Sequence, residues 1–120
     1  MSNSHHLMID DQAFDDAKNM MQQKFPKIIG YYLEDVRIYI DTIQEGVNKQ
    51  DASIVVPAAH TIKSSSRQIG AFALGNYAAA IEEAARHCMQ NKQDFKFVID
   101  KTQNLEVLFQ ATEKEIRERI

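Results

Sequence analysis

One of the four histidines in this 120-residue chain, His60, has neighbours whose types and spacing could do chemistry. Lys63, Ser64 and Arg67 follow it in sequence. At about 100° per residue on an α-helix with Ile62 at the centre of the buried side, all three fall within about 60° of His60 on the outer face. An exposed imidazole among cations is favoured in its neutral form near pH 7. A neutral imidazole is a nucleophile, and the cations beside it suit an incoming phosphoryl group. Ser64, Ser65 and Ser66 leave no bulky side chain over the helix one turn beyond His60, so a partner's backbone could come close. Serines are mediocre helix formers, and a second reading ends the helix near Lys63 with 64–66 in a loop. Gly70 as the terminator favours the longer helix.

Other candidates offer less. His87 and Cys88 are adjacent, but Cys88 lies on a buried stripe, where a thiol behaves as a small hydrophobe. A metal-binding bundle needs Glu-x-x-His pairs on facing helices, whereas Glu83 and His87 are four residues apart and His5 and His6 sit in an N-terminal tail. The string from Leu105 to Gln110 resembles a recognition sequence of viral 3C-type proteases, yet a helical period runs through it.

The elements that must position His60 are helical. Four Gly and two Pro punctuate the chain sparsely. A first helix is expected over Asp10–Gln23, with Phe14, Ala17 and Met21 on one face. Pro26 then opens a second helix to about Asn48, in which Ile29, Leu33, Val36, Ile40, Ile43 and Val47 form a heptad-like stripe. Asp51 is a candidate N-cap for a third, with Val55, Ala58 or Ala59, Ile62, Ser65 or Ser66 and Ile69 inward. Pro57 must occupy its first turn or mark a kink. Leu74, Tyr77 or Ala78, Ile81, Ala84 or Ala85 and Cys88 define a fourth, ending in the polar stretch 91–93. One last helix is expected from about Asp94 to the C-terminus, with Val98, Leu105, Phe109, Thr112 and Ile116 inward. Glu113–Arg117 and Glu115–Arg119 would pair on its solvated face. No alternating β pattern occurs, so the helices imply an antiparallel bundle.

Composition bounds the function. A chain of 120 residues makes one domain, too short for most complete kinases or dehydrogenases. Its 14 basic and 17 acidic residues give a net charge of −3, which argues against binding nucleic acid through phosphate neutralisation. No apolar run reaches membrane-spanning length. The single cysteine fits a reducing, cytoplasmic setting.

The segment Ala59-His60-Thr61-Ile62-Lys63-Ser64-Ser65-Ser66-Arg67-Gln68-Ile69-Gly70-Ala71 resembles the signature of histidine-containing phosphotransfer (HPt) domains. That signature has a histidine, a basic residue three positions on, then a glycine or other small residue, and a glycine ten positions after the histidine. His60, Lys63, Ser64 and Gly70 meet it in order. The preceding helix with Tyr32-Leu33-Glu34-Asp35-Val36 and the following Leu74 and Ala78–Arg86 segment are also similar, so the resemblance spans roughly 25–117.

The resemblance implies an all-α, antiparallel up-and-down four-helix bundle; with the additional short N-terminal helix read above, the domain is expected over 10–120 behind a flexible tail at 1–9. It implies a phosphorelay intermediate in two-component signalling. His60 would accept a phosphoryl group from a receiver-domain aspartate and pass it to another. Lys63 would counter the charge in flight, and Ser64 would keep access open where many members have Gly. Glu82 stands where the family often has a polar residue, commonly Gln, that orients the histidine. Ionised, it can only accept a hydrogen bond; reaching Nδ1 of His60, it would leave Nε2 free to attack. The alternative is an ordinary surface glutamate. Arg86 would support the same site or simply pair with Glu82.

No kinase activity, ATP site or cofactor is implied, and magnesium would belong to the partner receiver. The partners would be receiver domains of response regulators and hybrid sensor histidine kinases, with the chain a monomer that binds neither nucleic acid nor membrane. Val56, Thr61, Phe14, Met21, Phe25 and Ile28 are docking candidates, of which one or two should protrude from the core. The alternative function is an interaction or adaptor bundle in which His60 is incidental.

Overall fold

A computed structural model describes residues 8–91 and 94–120. Six helices account for most of them: α1 (Asp11–Met21), α2 (Phe25–Asn48), α3 (Ala52–Gln68), α4 (Phe72–Asn91), α5 (Lys96–Thr102) and α6 (Leu105–Arg119). The four long helices α2, α3, α4 and α6 form the bundle, α1 is the additional N-terminal helix, and no strand occurs among the described residues.

The apolar stripes become the core. Ile29, Leu33, Val36, Ile40 and Ile43 of α2 are buried against Val55, Ala59 and Ile62 of α3, Leu74, Ala78 and Ile81 of α4, and Phe109 and Ile116 of α6. Phe14 closes one end with its ring edge-on to Phe25, centroids 5.1 Å apart. Helices α2 and α6 are further joined by Arg37, whose two terminal nitrogens lie 2.5 and 2.7 Å from the two oxygens of Glu106. Cys88 is half-buried against the core, in keeping with a packing role.

Helix α3, which carries His60, is set by its two ends. Asp51 caps it by accepting from the Ser53 amide at 3.0 Å. At the far end Gly70 adopts φ +84°. Its amide bonds the Arg67 carbonyl at 3.3 Å while the Ala71 amide bonds Ser66 at 2.9 Å, a Schellman arrangement. Between these ends the helix runs uninterrupted through the three serines, so the loop reading fails. Their hydroxyls need no break: Ser65 bonds back to the Thr61 carbonyl, Ser66 bonds Tyr32, and Ser64 is exposed. Pro57 lies inside α3 rather than in its first turn, so the Ser53 carbonyl forgoes one helical bond there.

Two expectations need correction. The final helix is two helices, α5 and α6, because the Asn104 amide bonds the Tyr77 hydroxyl of α4 at 3.0 Å instead of continuing the turn. Of the tail expected at 1–9, the two described residues are held. Residues 1–7, with His5 and His6, lie outside the described residues, but Ile9 is buried. The amides of Met8 and Ile9 bond the two oxygens of Glu115 at 3.0 and 3.2 Å. Arg119 pairs with both Glu115 and Asp11, so Glu115–Arg119 is more than a solvated pair: it clamps Met8, Ile9 and the first turn of α1 to α6.

Candidate functional site

Helices α3 and α4 run antiparallel with Gly75 at their close approach. A Cβ there would stand 3.1 Å from Cγ of Arg67 and 3.4 Å from the Lys63 carbonyl oxygen. Two turns from Arg67 and Gly75 along each helix stand His60 and Glu82, which therefore face each other across the groove.

His60 presents 55% of its side chain to solvent, whereas Glu82 is buried at 5% exposure. Oε2 of Glu82 lies 3.0 Å from Nδ1 of His60. The same oxygen accepts from Arg86 at 2.7 and 3.0 Å, and Oε1 accepts from Nζ of Lys63 at 2.8 Å. Burial alone would raise the carboxyl's pKa, but hydrogen bonds from Lys63, Arg86 and His60 and the Lys63 charge outweigh it and bring Glu82 from 4.5 to about 2. An ionised carboxylate only accepts, so Nδ1 of His60 is the donor, and in the neutral ring Nε2 then carries the lone pair.

The sequence-derived site residues thus meet unequally. His60, Lys63 and Glu82 converge, and Ser64 is exposed on the same face of α3. The surface-glutamate reading of Glu82 is replaced by a buried one. Lys63 faces Glu82 rather than open solvent, with 24% of its side chain exposed. Arg67 is exposed, as expected, and bonds Asn76 of α4 at 3.0 Å, while the second cation on Glu82 is Arg86. An open groove of about 580 Å³, lined by Lys63, Glu82, Arg86, His87 and Gln90 among others, borders this cluster.

On the other flank of α3 a smaller groove of about 210 Å³ is lined by Met21, Ile28, Tyr31, Tyr32, Asp35 and Thr61 among others. Of the docking candidates, Phe14, Phe25 and Val56 are buried, while Met21, Ile28 and Thr61 are half-exposed. Sequence reasoning missed Tyr31, which is 53% exposed at this groove. It also missed the buried hydrogen bond between Tyr32 and Ser66 at 2.6 Å. The polar Ser66 on an otherwise apolar stripe was the available signal. Among the described residues no group of three His, Cys, Asp or Glu could hold a metal, and no helix is long and apolar enough to cross a membrane.

An exposed imidazole held by a buried carboxylate on a four-helix bundle defines a class of protein, the helical carriers of a histidine side chain. The sequence model of the Hpt domain matches residues 27–117, and the chain belongs to that family. Its function is accordingly histidine phosphotransfer in two-component signalling, as a phosphocarrier without kinase activity of its own. The fold is similar to the crystal structure of histidine-containing phosphotransfer protein B (HptB) from Pseudomonas aeruginosa PAO1. That match has a TM-score of 0.80 and 21% identity, covering 94% of this chain and 96% of the other. A comparison with curated proteins finds no match.

Proposed function

We propose that His60 is the phosphorylated residue, accepting a phosphoryl group from the aspartyl phosphate of one receiver domain and delivering it to the aspartate of another. The observation that carries this reading is the 3.0 Å contact between Nδ1 of His60 and Oε2 of Glu82. With Nδ1 protonated, the Nε2 lone pair attacks phosphorus, a P–N bond forms, and the P–O bond to the donor aspartate breaks as the carboxylate leaves. The ring gains positive charge as the bond forms, and the Glu82 carboxylate stands at Nδ1 to meet it. The second transfer reverses these steps on another carboxylate.

Lys63 and Arg86 neutralise Glu82 in the resting site, and Lys63, on the same face of α3 as His60, is available to the phosphoryl oxygens during transfer. Ser64 leaves room for the receiver's backbone. The receiver supplies magnesium, and the chain needs no cofactor of its own. The half-exposed Met21, Ile28 and Thr61 with Tyr31 form a partly apolar rim beside α3 suited to a receiver helix. The partners on this reading are receiver domains of response regulators and hybrid sensor kinases, met by a monomer in the cytoplasm.

The test is incubation with a phosphorylated receiver domain, for wild type and His60→Gln. Acid-labile, base-stable label on wild type alone is the expected result. Label retained by His60→Gln would refute His60 as the carrier, and no label on wild type with any of several receivers would overturn the relay reading.

A further inference from the structure

One buried polar pair takes no part in this chemistry. Tyr32 of α2 and Ser66 of α3 share a 2.6 Å hydrogen bond, with Tyr32 at 6% exposure and Ser66 fully buried. Each sits where the apolar stripe of its helix calls for a hydrophobic residue. A buried polar pair is costly to break and sets geometry, since its hydroxyls have no water to turn to.

Half of the remaining face that α3 buries is alanine. That face consists of Ala52, Val55, Val56, Ala58, Ala59 and Ile62, and the adjacent Ala58 and Ala59 are both buried. A face rich in alanine offers few ridges to resist rotation of the helix about its own axis. Site geometry is sensitive to such a rotation. A side-chain atom about 6 Å from the axis moves by about 1 Å for a roll of about 10°, and a roll that carries His60 directly away from Glu82 would take the 3.0 Å contact out of hydrogen-bond range. The Tyr32–Ser66 bond is the buried directional contact from α2 that opposes it, beside the more exposed contacts of Lys63 with Glu82 and Arg67 with Asn76 of α4. Ser66 also faces Gly75 of α4, its Cβ lying 3.5 Å from where a Cβ on Gly75 would stand. The phase of α3 is thereby referred to both α2 and α4.

We infer that Tyr32 is a positioning residue for His60: through its hydrogen bond to Ser66 it fixes the axial rotation of α3 that holds Nδ1 against Glu82. It does not touch the phosphoryl group. Burial pushes the Tyr32 phenol up to about 12 against the lowering effect of the Ser66 bond, so the hydroxyl stays neutral throughout the working pH range. The kinetic consequence rests on His60 being the carrier, whereas the geometric one does not.

The experiment uses the full chain in four forms: wild type, Tyr32→Phe, Ser66→Ala, and Ile116→Val as a comparison with a core deletion in α6. Long-range ¹H–¹⁵N spectra of the unphosphorylated protein read the His60 tautomer directly, and phosphotransfer rates are measured alongside. Wild type and Ile116→Val should show the Nδ1-protonated tautomer. Tyr32→Phe and Ser66→Ala should keep their helical circular dichroism, show a mixture of tautomers, and transfer about ten-fold or more slowly. Ser66 is fully buried, so its effect cannot come from lost partner contact. An unchanged tautomer in both Tyr32→Phe and Ser66→Ala would overturn the inference, as would an equal shift in Ile116→Val. Wild type that takes no label yet shows the tautomer differences would instead overturn the choice of His60 as carrier and leave the positioning role standing.

Discussion

Glu82 divides its carboxylate between two tasks, with Oε2 on Nδ1 of His60 and on Arg86, and Oε1 on Lys63. The cations therefore compensate the buried carboxylate, which in turn orients the imidazole. A neutral Gln in the same place could accept from Nδ1 but would leave Lys63 and Arg86 without their counter-charge.

The arrangement predicts a graded response at this position. Glu82→Ala should slow transfer from a phosphorylated receiver by about 10- to 100-fold, since the imidazole loses the group that fixes its tautomer and angle. Glu82→Gln should lose less, because its carbonyl still accepts from Nδ1. Rapid-quench transfer assays on the three proteins check the order. A Glu82→Ala protein as fast as wild type removes the orienting role.

Acid should reveal the same cluster through stability. Glu82 has its folded pKa depressed from 4.5 to about 2. A depressed carboxyl contributes stability that is fully present above its unfolded value and is lost as pH falls through the folded one. The window is pH 4.5 to 2, and the whole effect is at most about 3 kcal/mol, reduced by the exposure of Arg86 and His60. Asp51 and Glu106 are also held low, by bonds from Ser53 and Arg37, so wild type loses stability from several carboxyls in acid. The difference between wild type and Glu82→Gln isolates Glu82. Urea unfolding at stepped pH should show a shallower decline for the variant, and parallel curves would deny the ionised cluster.

The fold was legible because each long helix repeats an apolar stripe, and those on Ile29 to Ile43, Val55 to Ile69 and Leu74 to Ala85 are the ones buried. Asp51, Pro26 and Gly70 act as the cap, helix start and terminator their chemistry suggests. The break at Asn104 was hidden because its cause, the Tyr77 hydroxyl, lies 27 residues away. The clamp of Glu115 on Met8 and Ile9 was hidden likewise, since an i to i+4 pair with Arg119 explains the same two residues locally. At the site, helical phase put His60 and Lys63 on one face. It could not show that Lys63 turns to Glu82, because that depends on where α4 crosses. Nor could it show that the exposed Arg67 bonds Asn76, which is on the neighbouring helix.

Two glycines should respond to alanine in opposite directions. Gly70 holds φ +84°, and a Cβ there would stand 2.9 Å from the Phe14 amide nitrogen and 3.0 Å from the Asp10 carbonyl oxygen. Its own carbonyl accepts from the Asp10 amide at 2.8 Å, so the residue that ends α3 also seats the start of α1. Gly70→Ala should cost about 1–3 kcal/mol from backbone strain and the forced separation. It should also speed amide exchange at Asp10 as the tether loosens. Gly30 sits inside α2, where an added Cβ would meet nothing within 4 Å, so Gly30→Ala should gain about 0.5–1 kcal/mol from helix propensity alone. Urea unfolding of both variants measures the two signs. A harmless Gly70→Ala would mean that the turn after α3 relaxes freely and that the N-terminal helix is not seated on it.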